Sequence, residues 1–242
     1  MNVPHTDGRT RIDEIADGIY RISTAIPPEV MPGGFTFNQF LIADDAPLLF
    51  HTGPRKLFGM TREAIARVLP VATLRYVAFS HFEPDECGAL NEFLAAAPQA
   101  EPLCSQIGAL VCMGDYADRP ARALADGETL SLGRHTLRWL DTPHVPHGWD
   151  CGFLADLTTG TLFCGDLFTQ FGADHVPLTS DEILEPSEAA RRGMDYYAHA
   201  TDTTATLERL AALQPTTLAC MHGASWQGDG ARLLHELGRR LG

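Results

Sequence analysis

A short apolar segment that runs directly into a cluster of charged side chains is the feature that most constrains the fold. Residues 74–80 read Leu-Arg-Tyr-Val-Ala-Phe-Ser, which is typical of a buried strand, and the next six residues are His-Phe-Glu-Pro-Asp-Glu. One imidazole and three carboxylates this close together are costly unless a cation neutralises the acidic groups. We therefore predict a metal site where this strand ends.

Two more candidate ligands follow other predicted strands. Asp166 comes just after an apolar segment at 161–164, and His222 directly follows one at 217–221. The loops that begin at strand ends are where ligands and catalytic groups are commonly placed. Histidine and carboxylate side chains at several strand ends therefore strengthen the prediction of a metal site.

The rest of the chain alternates short strands with helices. Aromatic and branched residues predict strands, and apolar residues at helical spacing predict helices. We predict strands at 18–23, 35–43, 47–52, 74–80, 128–132, 135–140, 151–156, 161–164 and 217–221, helices at 60–69, 88–97, 187–198, 204–213 and 229–241, and a loop at 170–186. No repeat or linker interrupts this order, so we expect one α/β domain over residues 1–242 with two sheet-and-helix halves.

Composition excludes several classes of protein. Of the 242 residues, 45% are hydrophobic and 20% are charged, and the mean hydropathy is −0.07, as in a globular domain. The net charge of −13 repels phosphate backbones, so we expect no nucleic acid partner. The apolar runs are far shorter than the roughly 20 residues of a membrane helix. Because the first residues do not resemble a secretory signal, we expect a cytoplasmic protein without a membrane partner.

The cysteines and glycines do not predict a cofactor. The six cysteines contain no C-x-x-C pair, which disfavours a disulfide framework or a structural zinc site. The glycines do not form a dinucleotide-binding fingerprint. We therefore expect no FMN or NAD site in this chain, and we expect most of its thiols to be small buried side chains.

The ligand pattern resembles the metallo-β-lactamase fold in its diiron version, which is found in flavodiiron proteins and oxygen-binding diiron proteins. The resemblance rests on H-x-E-x-D at 81–85, on later histidine and aspartate residues, and on a first sheet with Asn38, Leu41-Ile42 and Thr52-Gly53. It implies an αβ/βα sandwich of two mixed sheets flanked by helices, with metals at one edge between the sheets. Flavodiiron proteins carry a flavodoxin-like domain after the metal domain, but this sequence continues for only about twenty residues after His222, so we expect a single domain without a flavodoxin-like one.

The resemblance also implies a ligand set. The first metal would be held by His81, Glu83 and His147 and the second by Asp85 and His222, with Asp166 bridging them. Zinc hydrolases of the superfamily usually have H-x-H-x-D-H, whereas here Glu83 replaces the second histidine. Because a carboxylate is a harder and anionic donor, the replacement favours two iron ions, with zinc or manganese as the alternative.

Several residues near this pattern keep more than one interpretation. Glu86 stands where the family commonly has histidine, and it is either a further ligand, an outer hydrogen-bonding group or a surface residue. His51 stands where the fold commonly has aspartate and is expected to support a ligand rather than to be one. His144 competes with His147 as a ligand and is otherwise a pocket or ligand-supporting group, whereas His175 either caps the site or is a solvated loop residue. Three aromatic residues, Phe82, Trp149 and Phe168, either line the pocket or belong to the core.

The resemblance implies a non-haem diiron protein that binds O₂ or NO and reduces it. Because no flavin site is expected, the electrons would come from a separate donor, a flavoprotein or a rubredoxin-like protein. Two alternatives remain: a non-catalytic diiron oxygen sensor, and a dinuclear zinc hydrolase of esters, lactones or thioesters. The sequence leaves a homodimer open.

Overall fold

Two mixed sheets form the centre of the molecule in residues 9–241, the part of the chain that the computed structural model describes. The predicted domain also included residues 1–8 and 242, which lie outside the described residues. In the first sheet β1–β4 pair antiparallel and β4–β7 pair parallel. Its strands follow chain order: β1 (Thr10–Ala16), β2 (Ile19–Ile26), β3 (Phe35–Ile42), β4 (Leu48–Phe50), β5 (Tyr76–Ala78), β6 (Glu101–Ser105) and β7 (Arg122–Leu124).

The second sheet has a crossed strand order, β12-β14-β13-β11-β10-β9-β8. Its strands are β8 (Thr129–Ser131), β9 (Thr136–Asp141), β10 (Gly152–Asp156), β11 (Thr161–Phe163), β12 (Leu178–Thr179), β13 (Thr217–Ala219) and β14 (Ser225–Gln227). The pairs β11 with β13 and β12 with β14 are parallel, and the other neighbours are antiparallel. Parallel pairing brings the carboxyl ends of β11 and β13 to the same edge.

Helices cover the outer faces of both sheets. They are α1 (Phe58–Ile65), α2 (Pro84–Cys87), α3 (Leu90–Ala96), α4 (Gln106–Gly108), α5 (Gly114–Tyr116), α6 (Leu184–Met194), α7 (Thr203–Ala211) and α8 (Gly230–Leu241), with a π-helical stretch at Ala109–Met113 and 3₁₀ turns at Arg55–Leu57 and Val71–Thr73. No helix among residues 9–241 is long and apolar enough to cross a membrane.

Three apolar clusters fix the layers. α1 and α3 pack on the first sheet, and α6, α7 and α8 pack on the second. Between the sheets lies a third cluster, in which Phe163 of β11 contacts Phe40 and Phe50 of the first sheet at ring-centroid distances of 5.6 and 5.5 Å. Each such buried side chain stabilises the fold by roughly 1.5–3 kcal/mol. The αβ/βα sandwich implied by the resemblance is therefore confirmed.

The predicted elements differ from the observed ones in a few places. Strands β1, β6, β7 and β14, helix α2 and the helical stretch at 106–116 were not predicted, and the predicted loop at 170–186 contains β12. The helix predicted at 187–198 lies at Leu184–Met194 instead. It ends there because Asp195 adopts a left-handed conformation with φ +50°, which terminates a helix.

Candidate metal centre

Four of the side chains predicted as ligands converge at one edge of the sandwich. Nε2 of His147 lies 3.1 Å from Oε1 of Glu83 and 3.4 Å from Oδ2 of Asp166. Nε2 of His81 lies 3.6 Å from each of the same two carboxylate oxygens. Two imidazole nitrogens and two carboxylate oxygens therefore face a common point.

A second group faces the other oxygen of Asp166. Nε2 of His222 lies 3.2 Å from Oδ1 of Asp166 and 3.5 Å from Oδ2 of Asp85. The donor atoms of Asp85, Glu86 and His222 also lie within 4.8 Å of one another. Asp166 thus presents one oxygen to each group, which is the arrangement expected of a carboxylate shared between two cations.

Strand ends from both sheets bring these groups together. β5 ends at Ala78, three residues before His81, in the first sheet. In the second sheet, Asp166 and His222 each follow their strand by three residues, β11 ending at Phe163 and β13 at Ala219. Because β11 and β13 are parallel neighbours, Asp166 and His222 leave the sheet side by side.

The short helix α2 positions the acidic residues that follow His81. Pro84 is its first residue, where a missing N–H is tolerated and the fixed φ favours a helical turn. The backbone carbonyl of Glu86 accepts a hydrogen bond of 2.7 Å from the N–H of Thr52, which begins the loop after β4. This contact anchors α2 against the first sheet, so that carboxylate oxygens of Asp85 and Glu86 lie within 4.8 Å of a donor nitrogen of His222.

Residues of β3 hold the loop that carries His222. The amide Nδ2 of Asn38 donates to the carbonyls of Cys220 and Gly223, both at 2.9 Å. Nδ1 of His222 donates to the carbonyl of Thr36 at 2.7 Å. Because a carbonyl only accepts, this bond holds a ring proton on Nδ1, so Nε2 is the nitrogen that can bind a metal once its own proton has left.

His81 is supported by a buried chain of side chains. The hydroxyl Oγ of Ser80 lies 3.0 Å from Nδ1 of His81 and 3.0 Å from Nε2 of His51. Nδ1 of His51 lies 3.0 Å from Sδ of Met221. Burial lowers the pKa of His51 to about 3, so this imidazole stays neutral. Ser80 was not predicted as a functional residue, and its place directly before His81 was the only available signal.

Charges within the pocket shift the pKa values of two carboxyl groups. The neighbouring imidazoles of His147, at 3.1 Å, and His81, at 3.6 Å, lower the pKa of Glu83 to about 2. Burial alone would raise the pKa of Asp166, but the hydrogen bond from His222 and the nearby imidazoles lower it below its ordinary value. Both groups are therefore ionised and able to bind a cation.

The donor chemistry fits metal ions. Although Nε2 of His81 is buried, it forms no hydrogen bond with any residue of the described range 9–241. A buried polar nitrogen without a partner destabilises the fold. A metal ion bound to Nε2 of His81 would supply the missing partner. The converging groups consist of imidazoles and carboxylates without a thiolate, a donor set that suits iron, manganese or zinc.

A cleft of about 400 Å³ opens over the two groups. Apart from the candidate ligands, its walls are Met31, Phe35, Phe37, Pro54, Pro84, Thr169, Met194 and Tyr196. The ring centroid of Phe35 lies 4.3 Å from that of His222, and the hydroxyl of Tyr196 donates to the carbonyl of Asp166 at 2.9 Å. The cleft is thus mainly apolar and ends on the cluster of donors.

The remaining candidates from the sequence lie away from this cleft. The side chain of His144 is exposed, and Nε2 of His175 donates to a backbone carbonyl beside a different cavity. Phe168 is fully buried in the core, whereas Phe82 and Trp149 are exposed by 39 and 52%. The alternative of a core position therefore holds for Phe168. None of the three aromatic residues lines the cleft, whose wall includes Phe35 and Phe37 of strand β3.

Comparison with known families assigns the chain to one of them. The family model described as "ODP family beta lactamase" matches residues 35–223, which include both donor groups. The chain belongs to this family. This match confirms the relationship to the metallo-β-lactamase superfamily that the ligand pattern indicated.

Its relatives include much longer proteins. Rubredoxin-oxygen oxidoreductase of Megalodesulfovibrio gigas is 30% identical over 208 residues, covering 81% of this chain and 50% of the relative. The anaerobic nitric oxide reductase flavorubredoxin of Pectobacterium carotovorum is 24% identical over 213 residues, covering 84% of this chain and 42% of the relative. The chain thus spans half or less of the length of these relatives.

Solved structures show the same fold. The metal-soaked flavodiiron core from Synechocystis sp. PCC6803 has a TM-score of 0.80 at 22% identity and covers 96% of this ODP family beta lactamase and 60% of that chain. Rubredoxin oxygen:oxidoreductase from Desulfovibrio gigas has a TM-score of 0.80 at 23% identity, covering 95 and 62%. These likenesses establish the architecture of two mixed sheets flanked by helices.

Proposed function

We propose that this chain holds two iron ions and that it binds and reduces O₂, or alternatively NO, with electrons from a separate donor protein. The observation that carries the proposal is the placement of Asp166, whose two oxygens face two different groups of histidine and carboxylate donors. His81, Glu83 and His147 would hold the first ion, and Asp85 and His222 would hold the second. The names of the relatives, which are oxygen and nitric oxide oxidoreductases, support the choice of substrate.

Two iron ions at this position would supply electrons and open coordination positions for a diatomic ligand. The protein supplies the surroundings. The carboxylates of Glu83, Asp85 and Asp166 would balance the charge of the cations, and Asp166 would offer one oxygen to each donor group. The aromatic wall made by Phe35 and Phe37 excludes water from the side on which His222 lies. A mainly apolar cleft suits a small uncharged substrate such as O₂ or NO.

The backbone and outer side chains keep the imidazoles in the state that binds metal. The carbonyl of Thr36 holds the proton of His222 on Nδ1, and the hydroxyl of Ser80 can accept the corresponding proton of His81. When these rings are neutral, the nitrogen that faces the cleft is therefore the unprotonated one. This arrangement raises the basicity of the ligand nitrogens and fixes the ring orientations.

The test uses metal-free protein loaded with Fe²⁺ under anaerobic conditions. We expect two iron ions per chain and consumption of O₂ when a reduced flavoprotein or rubredoxin supplies electrons, but no oxidation of NADH by the protein alone. The matched control is Asp166→Asn loaded in the same way. Two bound iron ions without turnover would instead favour the oxygen sensor. Zinc uptake in preference to iron, with hydrolysis of a test ester, would favour the hydrolase.

A further inference from the structure

The carboxylate of Glu86 is buried and lacks a partner. The residue is fully buried, and neither Oε1 nor Oε2 accepts a hydrogen bond from any residue between 9 and 241. A carboxylate oxygen of Asp85 lies within 4.8 Å of one oxygen of Glu86. A carboxylate in such surroundings destabilises a folded chain unless something neutralises it.

Glu188 provides a comparison within the same chain. It is also buried, but both of its oxygens accept hydrogen bonds from Arg191, at 2.8 and 2.9 Å. Buried acidic groups are ordinarily paired in this way. Neither oxygen of Glu86 has such a partner among residues 9–241, so only a proton or a cation from outside the chain can neutralise it.

Glu86 lies beside both donor groups. One of its oxygens is within 4.8 Å of the donor atoms of His81 and Glu83, and an oxygen is likewise within 4.8 Å of those of Asp85 and His222. Both neighbouring groups are ones that we propose as metal ligands. A carboxylate placed between them can reach either cation or both.

We infer that Glu86 is a direct ligand of the dinuclear centre and supplies it with a fourth carboxylate. This inference rests on the two-metal site proposed above. The centre would then consist of four carboxylates, Glu83, Asp85, Glu86 and Asp166, and three imidazoles, His81, His147 and His222.

The fourth carboxylate changes the charge balance of the centre. Four ionised carboxylates carry a charge of −4, which equals in magnitude the charge of two divalent cations. The buried centre is then neutral without a further anion, whereas a histidine at position 86 would leave one positive charge unbalanced. An additional hard oxygen donor also favours Mn²⁺ and Fe²⁺ relative to Zn²⁺.

The experiment compares the wild type with Glu86→Gln, which keeps the shape of the side chain and removes its charge. Metal-free protein is titrated calorimetrically with Mn²⁺ alone, and its thermal melting is measured without metal. We expect the wild type to bind two ions. In the variant we expect the second ion to bind more weakly by at least about tenfold, whereas the metal-free variant melts at the same or a higher temperature because no buried charge remains.

Two further variants separate ligation from a structural role. Glu188→Gln removes the other buried carboxylate, so we expect a lower melting temperature and unchanged Mn²⁺ binding. Glu86→His keeps a donor but removes the charge. We expect it to bind two ions again and to shift the preference from Mn²⁺ towards Zn²⁺.

Each outcome decides the inference. Binding of two Mn²⁺ ions by Glu86→Gln with the affinities of the wild type would overturn it, and so would a loss of binding accompanied by a lower melting temperature of the metal-free variant. An equal loss of binding in Glu188→Gln would also overturn it. A wild type that fails to bind two ions would instead contradict the proposed two-metal site itself.

Discussion

The hydroxyl of Ser80 lies 3.0 Å from Nδ1 of His81, on the side of the imidazole that faces away from the cleft. Ser80 Oγ also lies 3.0 Å from His51, whose ring stays neutral. If His81 donates its Nδ1 proton to Ser80, the hydroxyl is free to donate to Nε2 of His51. With both hydrogen bonds donated in this direction, Nε2 of His81 is the nitrogen available to a metal. Residues that support a ligand histidine commonly fix its ring in this way.

Removal of this hydroxyl should weaken the first metal position. We expect Ser80→Ala to reduce the affinity for the first ion on the order of tenfold, because the ring of His81 loses the bond that fixes its orientation. Calorimetric titration with Mn²⁺ measures the change. Ser225→Ala is the matched control, since the hydroxyl of Ser225 is buried without a hydrogen-bond partner among residues 9–241. Equal affinities of wild type and Ser80→Ala would contradict the role of Ser80.

Asp166→Asn should uncouple the two metal positions. The amide has one neutral oxygen donor in place of two anionic oxygens, so we expect the content to fall from two ions to one or none. Elemental analysis after dialysis gives the content, and circular dichroism tests the fold. The matched control is Asp156→Asn, another buried aspartate, which is bonded to His135 at 2.9 Å. The Asp156→Asn control should lose roughly 1–3 kcal/mol of stability and keep both ions. If Asp166→Asn also kept two ions, Asp166 would not be the bridging ligand.

Glu83→His should shift the metal preference from iron towards zinc. The substitution restores the H-x-H-x-D order and replaces an anionic oxygen donor, which has its pKa lowered to about 2 by His147 and His81, with a neutral nitrogen donor. Zinc is well suited to imidazole ligands and needs no stabilisation of a higher oxidation state. The measurement is the metal content and O₂ uptake of both proteins grown in parallel with equal iron and zinc. The same metal and the same uptake in both would show that Glu83 is not a ligand.

Metal affinity should rise with pH. Burial alone would lower the pKa of His81, but Glu86 and other acidic neighbours raise it well above 6.5, and the hydrogen bond with Asp166 likewise raises the pKa of His222 against the effect of burial. The metal-free protein therefore gains stability from these imidazolium groups below pH 6.5 and loses it as the pH rises through the raised pKa values. A metal must displace the same protons.

Calorimetry with Mn²⁺ at about pH 6 and about pH 8, in buffers of different ionisation enthalpy, counts the protons released. We expect tighter binding and fewer released protons at the higher pH. His199→Gln is the control, because His199 is an exposed histidine far from the cleft. An affinity that is constant across this range would show that the imidazoles are already neutral in the metal-free protein.

The sequence by itself determined the donors and the general architecture. The residues that follow the strand at 74–80 combine imidazole and carboxylate groups in six consecutive positions, and the cost of crowding like charges is a local property that no tertiary contact is needed to recognise. The resemblance of H-x-E-x-D to a known pattern then implied the sandwich. Strand and helix periodicity located most of the elements, because burial on one face leaves a repeating pattern.

Only the tertiary structure decided how these donors are arranged. Whether Asp166 faces one group or two depends on the parallel pairing of β11 with β13 and on the packing of the two sheets, and these are contacts between residues distant in the chain. The same is true of the chain from His81 through Ser80 to His51 and of the aromatic wall from β3. The missing partner of Glu86 could not be predicted, because burial and pairing of a carboxylate depend on what the fold places around it.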